Sequence, residues 1–75
     1  MTADAVPLRH SIVINGVANT VADGTTVDVV VASIVEDSSG CAVAVNDTVV
    51  PRSDWTTRTL EEDDRVEVLT AVQGG

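Results

Sequence analysis

Few residues in this 75-residue chain could do chemistry, and the most telling are the last two, Gly74 and Gly75. They follow a strand-like run over 65–70 and a short tail, Ala71-Val72-Gln73. At an average glycine usage of about 7%, a terminal Gly-Gly arises by chance in roughly 0.5% of chains. A linker stub or cloning scar leaves such an end. The functional alternative is a C-terminal carboxylate that a second protein reaches and activates. Glycine has no Cβ, so its backbone can thread a narrow channel and approach another backbone closely. Fully extended, residues 71–75 reach at most about 17 Å, enough to carry the carboxylate from a folded body into a partner's active site. On this reading Gly75 carries the reaction and Gly74 gives access.

The other candidates are weaker. Cys41 is the single cysteine, so it has no disulfide partner within the chain and cannot belong to a four-cysteine metal site. It reads as a small core or strand-edge residue, with no lysine or second cysteine to activate it as a nucleophile. His10, without ligand-type neighbours, reads as a surface residue. The run Glu61-Glu62-Asp63-Asp64 lacks the ligand spacing and the sharp-turn glycine of a calcium loop, and reads as a solvated turn. No metal site and no bound cofactor are expected. With one His, one Cys and no visible nucleophile–base pair, hydrolase and oxidoreductase chemistry is set aside.

Composition narrows the partners. Twelve acidic residues against four arginines and no lysine give a formal charge of −8. That surface repels nucleic-acid phosphates and anionic membranes. It suits either a basic protein partner or plain solubility. There is no basic leader and no apolar run of about 20 residues, so a cytoplasmic location is expected. A chain this short makes one modestly stable domain, and the 44% hydrophobic content is that of a folded one.

The elements that must position the tail follow from local pattern. Residues 1–10 read as a flexible extension, 11–70 as the domain and 71–75 as a flexible tail. Residues 11–14 and 17–22 read as strands joined by Asn15-Gly16, the strongest short hairpin signal. Thr25 or Thr26 can cap a helix whose apolar face is Val27, Val30, Val31, Ile34 and Val35, although so many valines keep a strand in competition. Residues 41–45 and 48–50 form a strand pair around Asn46-Asp47, and Pro51 ends it. Ser53-Asp54-Trp55 reads as a single turn with Ser53 as its cap, and Trp55 as a core plug or an exposed anchor. In the last strand Val66 and Val68 point one way and Arg65, Glu67 and Leu69 the other. The sum is an α+β domain: a mixed sheet of four to five strands with one helix on one face, its first and last strands parallel at the centre.

The stretch Val43-Ala44-Val45-Asn46-Asp47-Thr48-Val49-Val50-Pro51-Arg52-Ser53-Asp54-Trp55 and the terminal Gly-Gly resemble the ThiS/MoaD family of ubiquitin-like β-grasp sulfur carriers. The likeness runs from about residue 11 to 75, and Val-Pro-Arg-x-x-Trp favours the thiamine branch. The chain departs from the pattern at Asp63-Asp64, where Gly-Asp is usual, and at Leu69, where an aromatic is common.

The resemblance implies a carrier, not an enzyme. A ThiF-type adenylyltransferase would use ATP to activate Gly75, and a sulfur donor such as a cysteine desulfurase would convert it to a thiocarboxylate. A ThiG-type thiazole synthase would take the sulfur for the thiazole ring. Leu69, Ala71, Val72 and Gln73 are then expected at the partner interface. A MoaD-type small subunit of molybdopterin synthase, a ubiquitin-like modifier and a plain binding module are the alternatives.

Overall fold

The elements run β1 (Arg9–Ile14), β2 (Val17–Ala22), α1 (Val27–Ile34), β3 (Ala42–Val45), β4 (Thr48–Val49), a 3-10 turn (Arg52–Asp54) and β5 (Arg65–Leu69). The computed structural model describes residues 8–70. The first hairpin closes through Asn15 at φ +48° and Gly16 at φ +82°, the pair of left-handed residues that a tight hairpin with right-twisted strands needs. The second closes the same way through Asn46 and Asp47, at φ +52° and +68°.

The strand order is β2-β1-β5-β3-β4, with β1 and β5 parallel at the centre and every other pairing antiparallel. Helix α1 lies in the crossover that a parallel pair requires. The face towards it carries Ile12 and Ile14 of β1, Val43 and Val45 of β3, and Val66 and Val68 of β5, all buried. Val27, Val30 and Val31 of α1 close over them, joined by Val50, Trp55 and Leu60.

Eight residues are too few for an isolated helix, and valine adds little propensity, so α1 is held by this packing. Thr26 is its N-cap; the Thr26 carbonyl accepts from Val29 N and Val30 N, and its hydroxyl bonds the Asp28 carboxylate.

Several expected boundaries move. Arg9 and His10 are not part of an extension, because β2 is long enough to pair them with Ala22 and Val21. Ile34 is 44% exposed rather than on the buried face, because the helix ends there and Val35 is already extended. Pro51, not Ser53, precedes the 3-10 turn. The four-acid turn is not wholly solvated. Asp63 takes φ +70°, the conformation that favours glycine, and turns Asp64 inward, where it is buried.

Candidate functional site

The expected reacting end, Gly74 and Gly75, and the tail residues Ala71, Val72 and Gln73 lie outside the described residues. What the structure places is the platform they leave from. β5 alternates as its sequence demands, with Val66 and Val68 buried and Arg65, Glu67 and Leu69 exposed on the opposite side of the sheet. Leu69, 65% exposed, stands where β5 ends. Its partner across β3 is Ala42, and the next outward pair is Glu67 with Ala44. Ala44 also pairs with Val49, which is 71% exposed. Leu69, Ala42, Ala44 and Val49 therefore make one apolar surface at the end of β5, on the side away from the helix. Glu67 interrupts it. Arg65 at the other end of β5 pairs with Asp47 at 3.0 Å.

Leu69 was legible from strand phase. Val49 was not, because a two-residue strand has no alternation to read.

The exit of β5 is held by side chains from distant turns. The Asn15 amide donates from Nδ2 to Val68 O at 3.3 Å, and its Oδ1 accepts from Val68 N at 2.8 Å. Further back, the Asn46 carboxamide spans two residues: Oδ1 accepts from Arg65 N at 2.9 Å and Nδ2 donates to Asp64 Oδ1 at 2.8 Å. Asp64 Oδ2 accepts from Glu61 N at 2.8 Å, so the buried carboxylate closes its own turn and ties it to the second hairpin.

At the opposite end of the sheet His10 Nε2 lies 2.8 Å from Asp23 Oδ1 and its Nδ1 is 3.8 Å from Glu62 Oε1. The Asp23 hydrogen bond, helped by the nearby Asp23, Glu61 and Glu62 charges, raises the His10 pKa above its ordinary 6.5 against a smaller opposing effect of burial. His10 is thus half-enclosed by acids rather than a free surface residue.

Trp55 is a core plug. Its Nε1 donates to Val50 O at 3.0 Å, and the Arg52 guanidinium stacks over the ring at 4.3 Å. Trp55 O accepts from Asp28 N, satisfying one amide at the start of α1. The Val-Pro-Arg-x-x-Trp stretch is therefore a fold device. Beside Trp55, on the helix side, a cavity of about 330 Å³ is lined by Val31, Val35 and Ser38 and rimmed by Asp28 and Glu36. It carries no nucleophile–base pair.

Cys41 is half-buried and packed against the core, ahead of β3. Among the described residues no three His, Cys, Asp or Glu side chains are grouped to hold a metal ion. No helix among them is long and apolar enough to cross a membrane.

The model of the ThiS family matches residues 12–75. No curated protein matches the chain. Among solved structures, a crystal structure of a thiamine biosynthesis protein, ThiS, from Geobacter metallireducens is similar at 28% identity and a TM-score of 0.70. The similarity covers 87% of this chain and 99% of that one.

Proposed function

Because the chain belongs to the ThiS family, we propose that it is a cytoplasmic sulfur carrier for thiamine biosynthesis, in which Gly75 carries the sulfur and the folded body is what partners hold. The single observation that carries the reading is the family match, which includes Gly74 and Gly75. The apolar surface around Leu69 and Val49 supports it, because it lies next to the point where the tail leaves the sheet.

The chemistry follows from the carboxylate. A carboxylate is a poor electrophile. Attack of a Gly75 oxygen on the α-phosphorus of ATP expels pyrophosphate and leaves an acyl adenylate, with AMP as a good leaving group. The terminal sulfur of a donor persulfide then attacks the carbonyl carbon and AMP departs, giving an acyl disulfide. A second thiol cleaves that disulfide, is oxidised to a disulfide itself, and frees the thiocarboxylate. A thiazole synthase takes the sulfur. ATP is consumed by the activating partner, and this chain is the substrate throughout. Gly74 and Gly75 suit that role because they let the main chain enter a narrow site. Leu69, with Ala71, Val72 and Gln73 beyond it, contacts the partner.

Mass spectrometry of the carrier after incubation with a ThiF-type enzyme, ATP and a persulfide donor tests the reading. The expected product has one oxygen replaced by sulfur at Gly75, and one alanine added after Gly75 should abolish it. Activation of the extended chain would refute the role of Gly75.

A further inference from the structure

We infer that Asn15 is a positioning residue for the C-terminal tail, its side-chain amide standing in for a stretch of β1 backbone and fixing the end of β5. The inference rests on the reading of the tail as the reacting end.

The geometry comes from the ladder. Strands β1 and β5 are parallel, in register at Val13↔Arg65 and Ile14↔Val66. Val13 N donates to Asp64 O at 3.0 Å and Asn15 N donates to Val66 O at 2.9 Å. In a regular parallel ladder the next two bonds would run from Val68 N to the Asn15 carbonyl, and from the backbone N–H two residues after Asn15 to the Val68 carbonyl. Neither can form, because the chain turns away at Asn15 and Gly16. The Asn15 side chain fills both places: Oδ1 accepts from Val68 N at 2.8 Å and Nδ2 donates to Val68 O at 3.3 Å. A primary amide has the acceptor and donor of a peptide group, so it extends the ladder by one step without extending the strand.

The consequence falls on the tail. Val68 is the residue before Leu69, and the other side of β5 is held only by β3, through Val43↔Val68 and Ala42↔Leu69. Without Asn15 the last β1-side bond is at Val66, and the segment beyond the last β1-side bond lengthens from seven residues (69–75) to nine (67–75). The effective concentration of a tethered end falls roughly as the −3/2 power of tether length, so Gly75 should reach its activating site about 1.5-fold less often.

Asparagine is suited to the position twice over. It tolerates φ +48° and it carries the amide. Glycine shares only the first property, so Asn15→Gly removes the two bonds and leaves the turn allowed.

The experiment has two arms on the full chain. Amide hydrogen exchange by NMR should show the Val68 amide of N15G exchanging about tenfold faster, with the Val66 amide one step earlier much less affected. Steady-state activation by a ThiF-type enzyme, read as ATP–pyrophosphate exchange, should show kcat reduced about 1.5-fold with KM for the carrier unchanged. Val30→Ala, which loosens the helix side of the core, is the stability control and should leave kcat unchanged. Equal acceleration at Val66 and Val68, or the same kcat loss in V30A, would overturn the inference. If the wild-type chain is not activated at all, the functional reading fails, while the amide arm still decides whether Asn15 holds the end of β5.

Discussion

Replacing Leu69 by aspartate separates docking from folding, and its neighbour supplies the contrast. Leu69 is 65% exposed, so the folded state loses little when it is changed, less than about 1 kcal/mol as for surface sites generally. Full burial of a leucine side chain is worth about 1.5–3 kcal/mol. Two thirds of that area remains for a partner to cover, so docking through Leu69 draws about 1–2 kcal/mol from it, a factor of roughly 5–30 in Kd. A carboxylate adds its own desolvation, and L69D should weaken binding to the activating enzyme by tenfold or more. Val68 is 6% exposed on the other face. A charge there costs several kcal/mol, against a total stability of about 4–11 kcal/mol for a chain of this length. V68D should therefore be largely unfolded. Thermal melts by circular dichroism and titration calorimetry with the activating enzyme read the two effects. A large loss of stability in L69D would refute the strand phase. Unchanged affinity in a folded L69D would refute the docking role.

Two further predictions concern the ends of the sheet. The His10 pKa is raised in the folded state, so its contribution to stability is complete below 6.5 and is lost as pH rises through the folded value; Asp23→Asn should flatten that part of a Tm-versus-pH curve, and an unchanged slope would remove His10 from the account. In the acidic turn, Asp64→Ala leaves Asn46 Nδ2 and Glu61 N without acceptors and should cost about 2–3 kcal/mol, whereas Asp63→Gly relieves the left-handed strain and should be neutral or stabilising by up to about 1 kcal/mol; urea denaturation of both variants checks the pair, and a stable D64A would contradict the network.

The parts of the fold legible in the sequence are those set by local pattern. Asn15-Gly16 names its hairpin because few dipeptides accept two positive φ angles. Val66 and Val68 against Arg65, Glu67 and Leu69 name the phase of β5. The missed features are set by residues far apart in the chain. Asp64 looks like one more solvated acid, and its burial is made tolerable by Glu61 N within its own turn together with Asn46, 18 residues away. His10 looks solitary until the β1–β2 pairing brings Asp23 to it. Leu60, alone among polar residues, offers no period, yet it is 1% exposed because its N–H reaches back to Thr25 O and draws it under the helix. The second role of Asn15 depends on a strand 53 residues later.

The open face also bears on how long partners are held. A carrier must leave the enzyme that charges it before a second enzyme can use the sulfur, so tight binding at either stop would stall it. Permanent subunits bury large, mostly apolar interfaces of about 2,000 Å² or more, and binding hot spots favour Trp and Tyr. Here the surface at the end of β5 is made of Leu69, Val49 and two alanines, broken by Glu67. The chain has no Phe or Tyr, and its one Trp is 4% exposed and committed to the core. What the surface has in abundance is charge, at −8 overall. Charge accelerates encounter with a basic partner but adds little to residence, whereas a small apolar patch gives register with a fast off-rate. That combination suits a protein passed between enzymes better than a permanent synthase subunit.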